Sequence, residues 1–230
     1  MKITVLIPAY NEEKTIDEVL QAVLQADTLG HETQVVVIDD GSTDRTQEIL
    51  HAIPRPIILL RHERNFGKGK AIRTGLAAAT GDYILIQDAD LEYSPEEYPK
   101  LIAAVTGDNA VYGRRSYLQG YIHYRIGAYL LVLLTRILYR RQLHDIYTCY
   151  KLLPKKAMDK LSLSSDGFEI EAEVTAKLLR MNVPIAEIPI NYHPRSFLEG
   201  KKIRARDAWK GFLVLFRLRK NLPDSRPSGI

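Results

Sequence analysis

Segments typical of strands and of helices alternate through residues 1–109, and this alternation limits the possible fold more than any other feature. Short apolar runs rich in β-branched residues predict four strands, at residues 2–7, 34–38, 57–61 and 83–87. Apolar residues at helical spacing predict three intervening helices, at residues 13–25, 44–51 and 68–79. This order predicts an α/β fold in which a mostly parallel, doubly wound sheet is flanked by helices.

Three polar segments directly follow predicted strands: residues 8–10, 39–42 and 88–90. Ligands of parallel sheets bind at the carboxyl ends of the strands, so we expect these segments to line one crevice. Asp88 and Asp90 bring two carboxylates, two residues apart, to the end of a mostly apolar strand. Such a pair suits a hard divalent cation that is completed by water and substrate phosphates. The sequence therefore predicts metal-assisted chemistry on a phosphorylated substrate.

Charge divides the chain into two unlike halves. Residues 1–109 hold 10 Lys and Arg against 18 Asp and Glu, whereas residues 110–230 hold 22 against 10. The basic half indicates an anionic partner, such as a phosphate, a nucleic acid or a membrane surface, or else ordinary solvated charge. The single cysteine, Cys149, excludes an internal disulfide and suits a reducing compartment. The short apolar run at the N-terminus, followed at once by Pro8 and two glutamates, is not typical of a signal peptide.

The pattern changes beyond about residue 110. We expect helices at residues 118–141, 157–161, 170–180 and 204–219, an edge strand at 184–192 and a frayed tail at 222–230. No apolar run reaches the roughly 20 residues that a membrane-spanning helix needs. The last helix is basic and amphipathic, which favours either an interfacial position on an anionic membrane or packing against the sheet with its arginines outward.

Taken together, these motifs resemble those of the family-2 inverting glycosyltransferases of the GT-A fold, especially the branch of dolichyl-phosphate mannose synthase and bacterial polyprenyl-phosphate glycosyltransferases. The matching segments are residues 5–12, 37–44, 65–70, 87–92, 111–115 and 145–151. The resemblance covers roughly residues 1–200. It implies a Rossmann-like GT-A sheet with a nucleotide-sugar-binding half (1–109), an acceptor-binding half of the same domain (110–200), and a C-terminal amphipathic helix and tail (201–230).

The resemblance also implies a nucleotide diphosphate sugar as the donor. The residues it assigns to that donor are Pro8, Ala9, Tyr10, Glu12, Asp39, Asp40, Lys68, Asp88 and Ala89. Asp88 and Asp90 carry over as the acidic motif and would hold Mg²⁺ or Mn²⁺, which would neutralise the departing diphosphate. Glu92 stands where some relatives have glutamine, so it is an additional candidate ligand and metal preference stays open.

For the acceptor, the resemblance implies a polyprenyl phosphate, which is already anionic and needs no general base. The candidate acceptor residues are Arg114, Arg115, Arg125, Asp145, Lys151 and Arg195, with Lys201 and Lys202 as further cations. Glu169 is the candidate general base if the acceptor is instead a hydroxyl. A non-catalytic sugar-nucleotide sensor is the remaining alternative. We expect a cytoplasmic protein at the inner face of the membrane, with no nucleic-acid partner.

Overall fold

The structure of the protein is a computed structural model that describes residues 1–53, 56–116, 122–195 and 205–220, without the side chains of 122–126, 205 and 220. One sheet contains the strands β1 (Lys2–Ala9), β2 (Glu32–Asp39), β3 (Ile57–Arg61), β4 (Tyr83–Ile86), β5 (Ala110–Arg114), β6 (Lys151–Pro154) and β7 (Ile185–Pro189). Their order is β3-β2-β1-β4-β6-β5-β7. Only β6 runs against its neighbours, β4 and β5. The mostly parallel sheet predicted from the sequence is therefore confirmed.

The helices of the described residues are α1 (Ile16–Gln25), α2 (Thr46–Ala52), α3 (Lys68–Ala78), α4 (Tyr98–Ala103), α5 (Ile122–Tyr139), α6 (Lys155–Met158), α7 (Ile170–Arg180) and α8 (Ala205–Lys220). Helix α1 begins later than predicted. The Glu12 carbonyl accepts from the amides of Thr15 and Ile16 at 3.0 and 2.9 Å, which makes a turn before the helix. Asn11, with φ of 50°, also separates strand from helix.

The second half differs more from the sequence-based expectations. Helix α5 ends at Tyr139 rather than 141, because Arg140 adopts a left-handed φ of 54°. Helix α6 overlaps the predicted 157–161 but begins earlier, at Lys155, and ends at Met158. Strand β7 is shorter than the predicted 184–192, although it lies at the sheet edge as expected. Strands β5 and β6 and helix α4 were not predicted. Residues 118–121, 204 and the tail 222–230 lie outside the described residues.

The core lies on both faces of the sheet and holds its strand ends in place. Along β1, Val5 and Ile7 pack in the cluster that contains α1, whereas Leu6 packs in the cluster beneath α3. All three are completely buried, and each such side chain contributes about 1.5–3 kcal/mol of hydrophobic stabilisation. A third cluster joins α5, α7 and α8, includes Leu131 and Leu215, and has Ile185 of β7 packed against it. The residues after β1, β2 and β4 therefore project from a rigid base.

Candidate active site

The two aspartates after β4 face different cations. Asp88 accepts from Lys68 Nζ at 2.6 Å. Asp90 accepts from Arg195 Nη2 at 2.9 Å and from the Glu92 amide at 3.1 Å. Lys68 comes from the start of α3, and Arg195 from the segment after β7. The structure thus brings together at this strand end two aspartates and two cations from distant parts of the sequence.

A row of alternating buried charges supports Asp88 from behind. Lys151, on β6, is completely buried; it pairs with one oxygen of Glu171 and donates to the Ile146 carbonyl at 3.1 Å. The other oxygen of Glu171 lies 3.2 Å from Lys68 Nζ. Because burying an unpaired charge is costly, each member depends on the next. Lys151, predicted to contact the acceptor, lies inside the protein behind the site.

The surrounding charges give Asp88 and Asp90 opposite electrostatic states. Burial opposes ionisation of Asp88, but Lys68, a hydrogen bond with Cys149 and the charge of Arg195 outweigh it and lower the pKa of Asp88. Burial, followed by repulsion from Asp88 and Glu92, raises the pKa of Asp90 to about 7. Burial and the neighbouring carboxylates therefore disfavour the charged form of Asp90, despite its contact with Arg195.

The carboxylate oxygens at this strand end fit a six-coordinate divalent cation, most of whose other ligands are water and substrate oxygens. No three acidic, histidine or cysteine side chains converge on one point in the described part of the chain. Mg²⁺ commonly binds through one or two carboxylates plus phosphates, so Asp88 and Asp90 meet that need. Glu92 is turned away: its oxygens accept from Tyr192 Oη at 2.6 Å and from the Arg195 amide at 2.8 Å.

Arg195 connects the first turn to the acidic motif. Its guanidinium contacts the Glu12 carboxylate at 3.1 and 3.3 Å as well as Asp90. Ala89, between the two aspartates, is buried, and its carbonyl accepts from Thr15 Oγ1 at 2.7 Å. Hydrogen bonds of Arg195 and Thr15 therefore join the turn after β1 to the turn after β4.

The two aspartates at the end of β2, Asp39 and Asp40, make different contacts. Asp39 accepts from the Ser42 amide at 2.9 Å through one oxygen. Its other oxygen is buried, lies 3.4 Å from Arg61 Nε and has no hydrogen-bond partner among the described residues. That oxygen can accept from a ligand N–H or hydroxyl. Pro8 and Tyr10 are half-buried on either side of the buried Ala9, whose carbonyl accepts from the Asp40 amide at 2.8 Å.

Asp40 holds the loop that opens α3. Its carboxylate accepts from His62 Nδ1 at 2.6 Å and from the amides of Phe66 and Gly67 at 3.0 and 2.7 Å. Gly67 has a φ of 100°, and a Cβ there would lie 2.4 Å from the Asp166 carbonyl oxygen. The carboxylate predicted to touch the nucleotide is thus occupied in fixing the backbone before Lys68.

The predicted acceptor residues differ in burial and in the contacts that they make. Arg115 is held by Asp145 through two hydrogen bonds, 2.7 Å from Nε and 2.9 Å from Nη2, and its guanidinium lies 5.1 Å from the Tyr192 ring centroid. Arg114 is half-buried at the end of β5. The side chain of Arg125, and all of Lys201 and Lys202, lie outside the described residues.

Glu169 lies at the N-terminal boundary of α7. One of its oxygens accepts from the Gly167 amide at 3.3 Å. The other is buried and has no hydrogen-bond partner within the described ranges. A buried carboxylate oxygen without a donor is costly unless a ligand supplies one, so this oxygen can accept a hydrogen bond from a ligand hydroxyl.

Sequence reasoning missed several residues that build the site, among them His62, Glu171 and Tyr192. A lone histidine in a strand-to-loop segment and a glutamate in a helix carry no special pattern. Glu171 becomes significant only because Lys151 is buried opposite it, 20 positions away. The one sequence signal for Glu171 was its position two residues after Glu169, but only Glu169 was predicted to be functional.

Helices α5 and α8 together carry an exposed apolar surface. Of their large apolar side chains, those that are exposed are Tyr129, Leu130, Leu133, Ile137, Trp209, Leu213 and Phe216. Leu215 is instead completely buried, and Phe212 packs inward with it. Across the described ranges, no helix combines the length and the apolar character needed to cross a bilayer.

Sequence comparison places these motifs among known enzymes. The profile of glycosyl transferase family 2 matches residues 4–162. An uncharacterized protein of Methanocaldococcus jannaschii is 29% identical over 218 residues, covering 86% of this chain and 93% of that protein. The dolichol-phosphate mannosyltransferase of Pyrococcus furiosus is 29% identical over 233 residues, covering 96% of this chain. The undecaprenyl-phosphate 4-deoxy-4-formamido-L-arabinose transferase of Edwardsiella ictaluri is 39% identical over 107 residues, covering 44% of this chain. The alignments span 64% and 33% of the lengths of these two enzymes.

Solved structures share the whole fold. Glucosyl-3-phosphoglycerate synthase of Mycobacterium tuberculosis, in complex with Mn²⁺, UDP and phosphoglyceric acid, superposes with a TM-score of 0.74 at 22% identity, covering 97% of this chain and 80% of that one. Its complex with Mg²⁺ and UDP gives a TM-score of 0.73 at 23% identity, covering 97% and 81%. With a family profile over most of its length and this architecture, the chain belongs to glycosyl transferase family 2 and is a glycosyltransferase of the GT-A fold.

Proposed function

We propose that the protein moves a hexose from a nucleotide diphosphate sugar to a polyprenyl phosphate, with inversion at the anomeric carbon. The observation that carries this proposal is a pair of arginines: one contacts the acidic strand end, and the other lies over the ring of Tyr192, which donates to Glu92. Arg195 contacts Asp90, and Arg115 is held rigidly by Asp145. Two anions, the donor diphosphate and the acceptor phosphate, would match these two cations. The mannosyltransferase and undecaprenyl-phosphate transferase relatives support the same acceptor class.

The donor would lie along the strand ends. The oxygen of Asp39 that lacks a hydrogen-bond partner would accept from the nucleoside, and Lys68 would approach the diphosphate beside Asp88. Asp88 and Asp90 would hold Mg²⁺ or Mn²⁺, which acts as a Lewis acid on the diphosphate. Solved neighbours of the same fold contain Mn²⁺ or Mg²⁺ with UDP, which supports this choice of metal.

The acceptor phosphate would bind Arg115 on the side of the sugar opposite the nucleotide. One phosphate oxygen forms a bond to the anomeric carbon while the bond from that carbon to the diphosphate oxygen breaks. The nucleoside diphosphate leaves with the bonding electrons, and no proton has to be removed from the acceptor. The buried row from Lys151 to Asp88 would keep the acidic motif in place through the reaction.

A hydroxyl acceptor is the second candidate function, and the unpartnered oxygen of Glu169 favours it. In that reaction, Glu169 would take the hydroxyl proton as the new glycosidic bond forms. With a phosphate acceptor, the same oxygen would instead accept from a hydroxyl of the donor sugar. The M. tuberculosis neighbour was solved in complex with phosphoglyceric acid, which supports a small acceptor as the alternative.

We further propose that the exposed side of α5 and α8 rests on an anionic membrane at the cytoplasmic face. The exposed Trp209, Leu213 and Phe216 on α8 are accompanied by the exposed cations Arg206, Lys210 and Arg217. Apolar side chains with flanking cations are typical of interfacial helices. Such a position would bring the crevice to a lipid-linked phosphate.

The experiment that tests the acceptor uses a panel of nucleotide sugars with Mn²⁺ and a short polyprenyl phosphate. Lipid-linked sugar is separated from free sugar by organic extraction. Wild-type protein should produce lipid-linked sugar, and the Glu169→Gln variant should still do so, with a raised donor KM. A severe loss of kcat in Glu169→Gln, with donor binding retained, would favour the hydroxyl acceptor instead.

A further inference from the structure

Helix α8 rests directly on the loop between α5 and β6, the loop that carries Asp145 and Tyr147. A Cβ built on Gly211 of α8 would lie 1.9 Å from Tyr147 Oη and 3.0 Å from its Cζ. Only glycine allows the two elements to approach this closely. Tyr147 Oη is buried and has no hydrogen-bond partner in the described part of the chain. The ring is therefore positioned by the shape of α8 rather than by a hydrogen bond of its hydroxyl.

A short chain of contacts runs from Tyr147 to Arg115. The Tyr147 amide donates to Asp145 Oδ1 at 3.2 Å. The same carboxylate accepts from Nε and Nη2 of Arg115, and from the Arg115 amide at 3.2 Å. Asp145 is 3% exposed, so its side chain has little room to move. A shift of its backbone would therefore move the carboxylate relative to Arg115. Displacing Tyr147 would therefore displace the carboxylate that orients Arg115.

We propose that Tyr147 is a positioning residue, seated on Gly211, that fixes Arg115 for the acceptor phosphate. This inference rests on the proposed role of Arg115. It also gives α8 a second task besides its exposed apolar face. The helix side that carries Trp209 and Leu213 is exposed, while Gly211 between them is buried against the loop. The seating of α8 thereby sets the geometry of the acceptor site.

The Gly211→Ala variant tests the contact between Gly211 and Tyr147, with Gly127→Ala as its matched control. Both glycines lie inside helices, and a Cβ at Gly127 would meet nothing within 4 Å. Both variants gain the same intrinsic helix propensity. In Gly211→Ala, the KM for the short polyprenyl phosphate should rise about tenfold or more, because a misplaced Arg115 would lose charge-assisted hydrogen bonds to the phosphate, and a tenfold change in affinity corresponds to ~1.4 kcal/mol. The KM for the nucleotide sugar should stay at the wild-type value.

A second substitution separates this steric effect from general damage. Tyr147→Phe removes the oxygen nearest to the new methyl group, so the Tyr147→Phe/Gly211→Ala double variant should recover most of the acceptor KM of Tyr147→Phe alone. Thermal midpoints should follow the same order, with Gly211→Ala lowest. The inference is overturned if Gly211→Ala behaves like Gly127→Ala, if the double variant shows no recovery, or if donor and acceptor KM rise together. If wild-type protein transfers no sugar to polyprenyl phosphate, the proposed function fails, while the thermal midpoints still report the steric contact.

Discussion

At the residue scale, the buried lysine of β6 shows how much the site depends on paired charge. Lys151 has no exposed surface, and its partner Glu171 also faces Lys68. In the Lys151→Met variant, Lys68 alone would have to balance both Glu171 and Asp88. We expect the free energy of unfolding to fall by about 3–5 kcal/mol, because one partner of a buried pair is removed. Chemical denaturation measures this change.

Lys155, a few residues further on, supplies the matched control. It pairs with Asp159 at 2.8 Å, but their side chains are 22% and 54% exposed. Lys155→Met should therefore change the free energy of unfolding by no more than about 1 kcal/mol, as is usual for surface pairs. Equal losses of unfolding free energy in the Lys151 and Lys155 variants would show that the buried charge pair stabilises the protein no more than a surface pair does.

At the scale of elements, the start of α3 depends on a glycine that the chain cannot replace. Gly67 has positive φ, and its Cα hydrogen faces the Asp166 carbonyl. Gly67→Ala should displace the loop that Asp40 holds and weaken binding of Mn²⁺ with UDP or GDP by about tenfold, or ~1.4 kcal/mol, in calorimetry.

Gly107 also has positive φ, of 62°, but a Cβ there would meet nothing within 4 Å. Gly107→Ala should lose stability through its backbone strain alone, about 1–2 kcal/mol, with nucleotide affinity unchanged. Identical nucleotide affinities in the two variants would contradict the role of the loop.

Elements were predictable where burial leaves a simple pattern, and not elsewhere. Strand β2 ends in a continuous β-branched run, so its type followed from the sequence. Strand β6 begins with Lys151 and ends with Pro154, both unusual inside a sheet, and its partner charge lies in a helix. The strand-end aspartates were predictable from chain order. The contact of Arg195 with Glu12, 183 positions apart, exists only in the folded protein.

At the scale of the whole molecule, the exposed apolar surface of α5 and α8 belongs to the basic half of the chain, whereas the acidic strand ends belong to the other half. We expect the Leu213→Glu/Phe216→Glu variant to lose binding to vesicles of phosphatidylglycerol and phosphatidylcholine in sedimentation. The reason is that two of the exposed apolar side chains of α8 would become negative. Leu29→Glu, at a 47% exposed leucine in the first half, is the control and should bind like wild type. Unchanged sedimentation of the α8 variant would refute the membrane position.

The most direct test of the central claim is lipid-linked product formation by wild-type protein and Asp90→Ala. Each is incubated with labelled nucleotide sugar, Mn²⁺ and a short polyprenyl phosphate, with circular dichroism to confirm that both are folded. We predict labelled lipid from wild-type protein, none after addition of EDTA, and none from Asp90→Ala, because Asp90 is the candidate metal ligand at the strand end. Undiminished transfer by Asp90→Ala, or label confined to the aqueous phase with wild-type protein, would contradict the account.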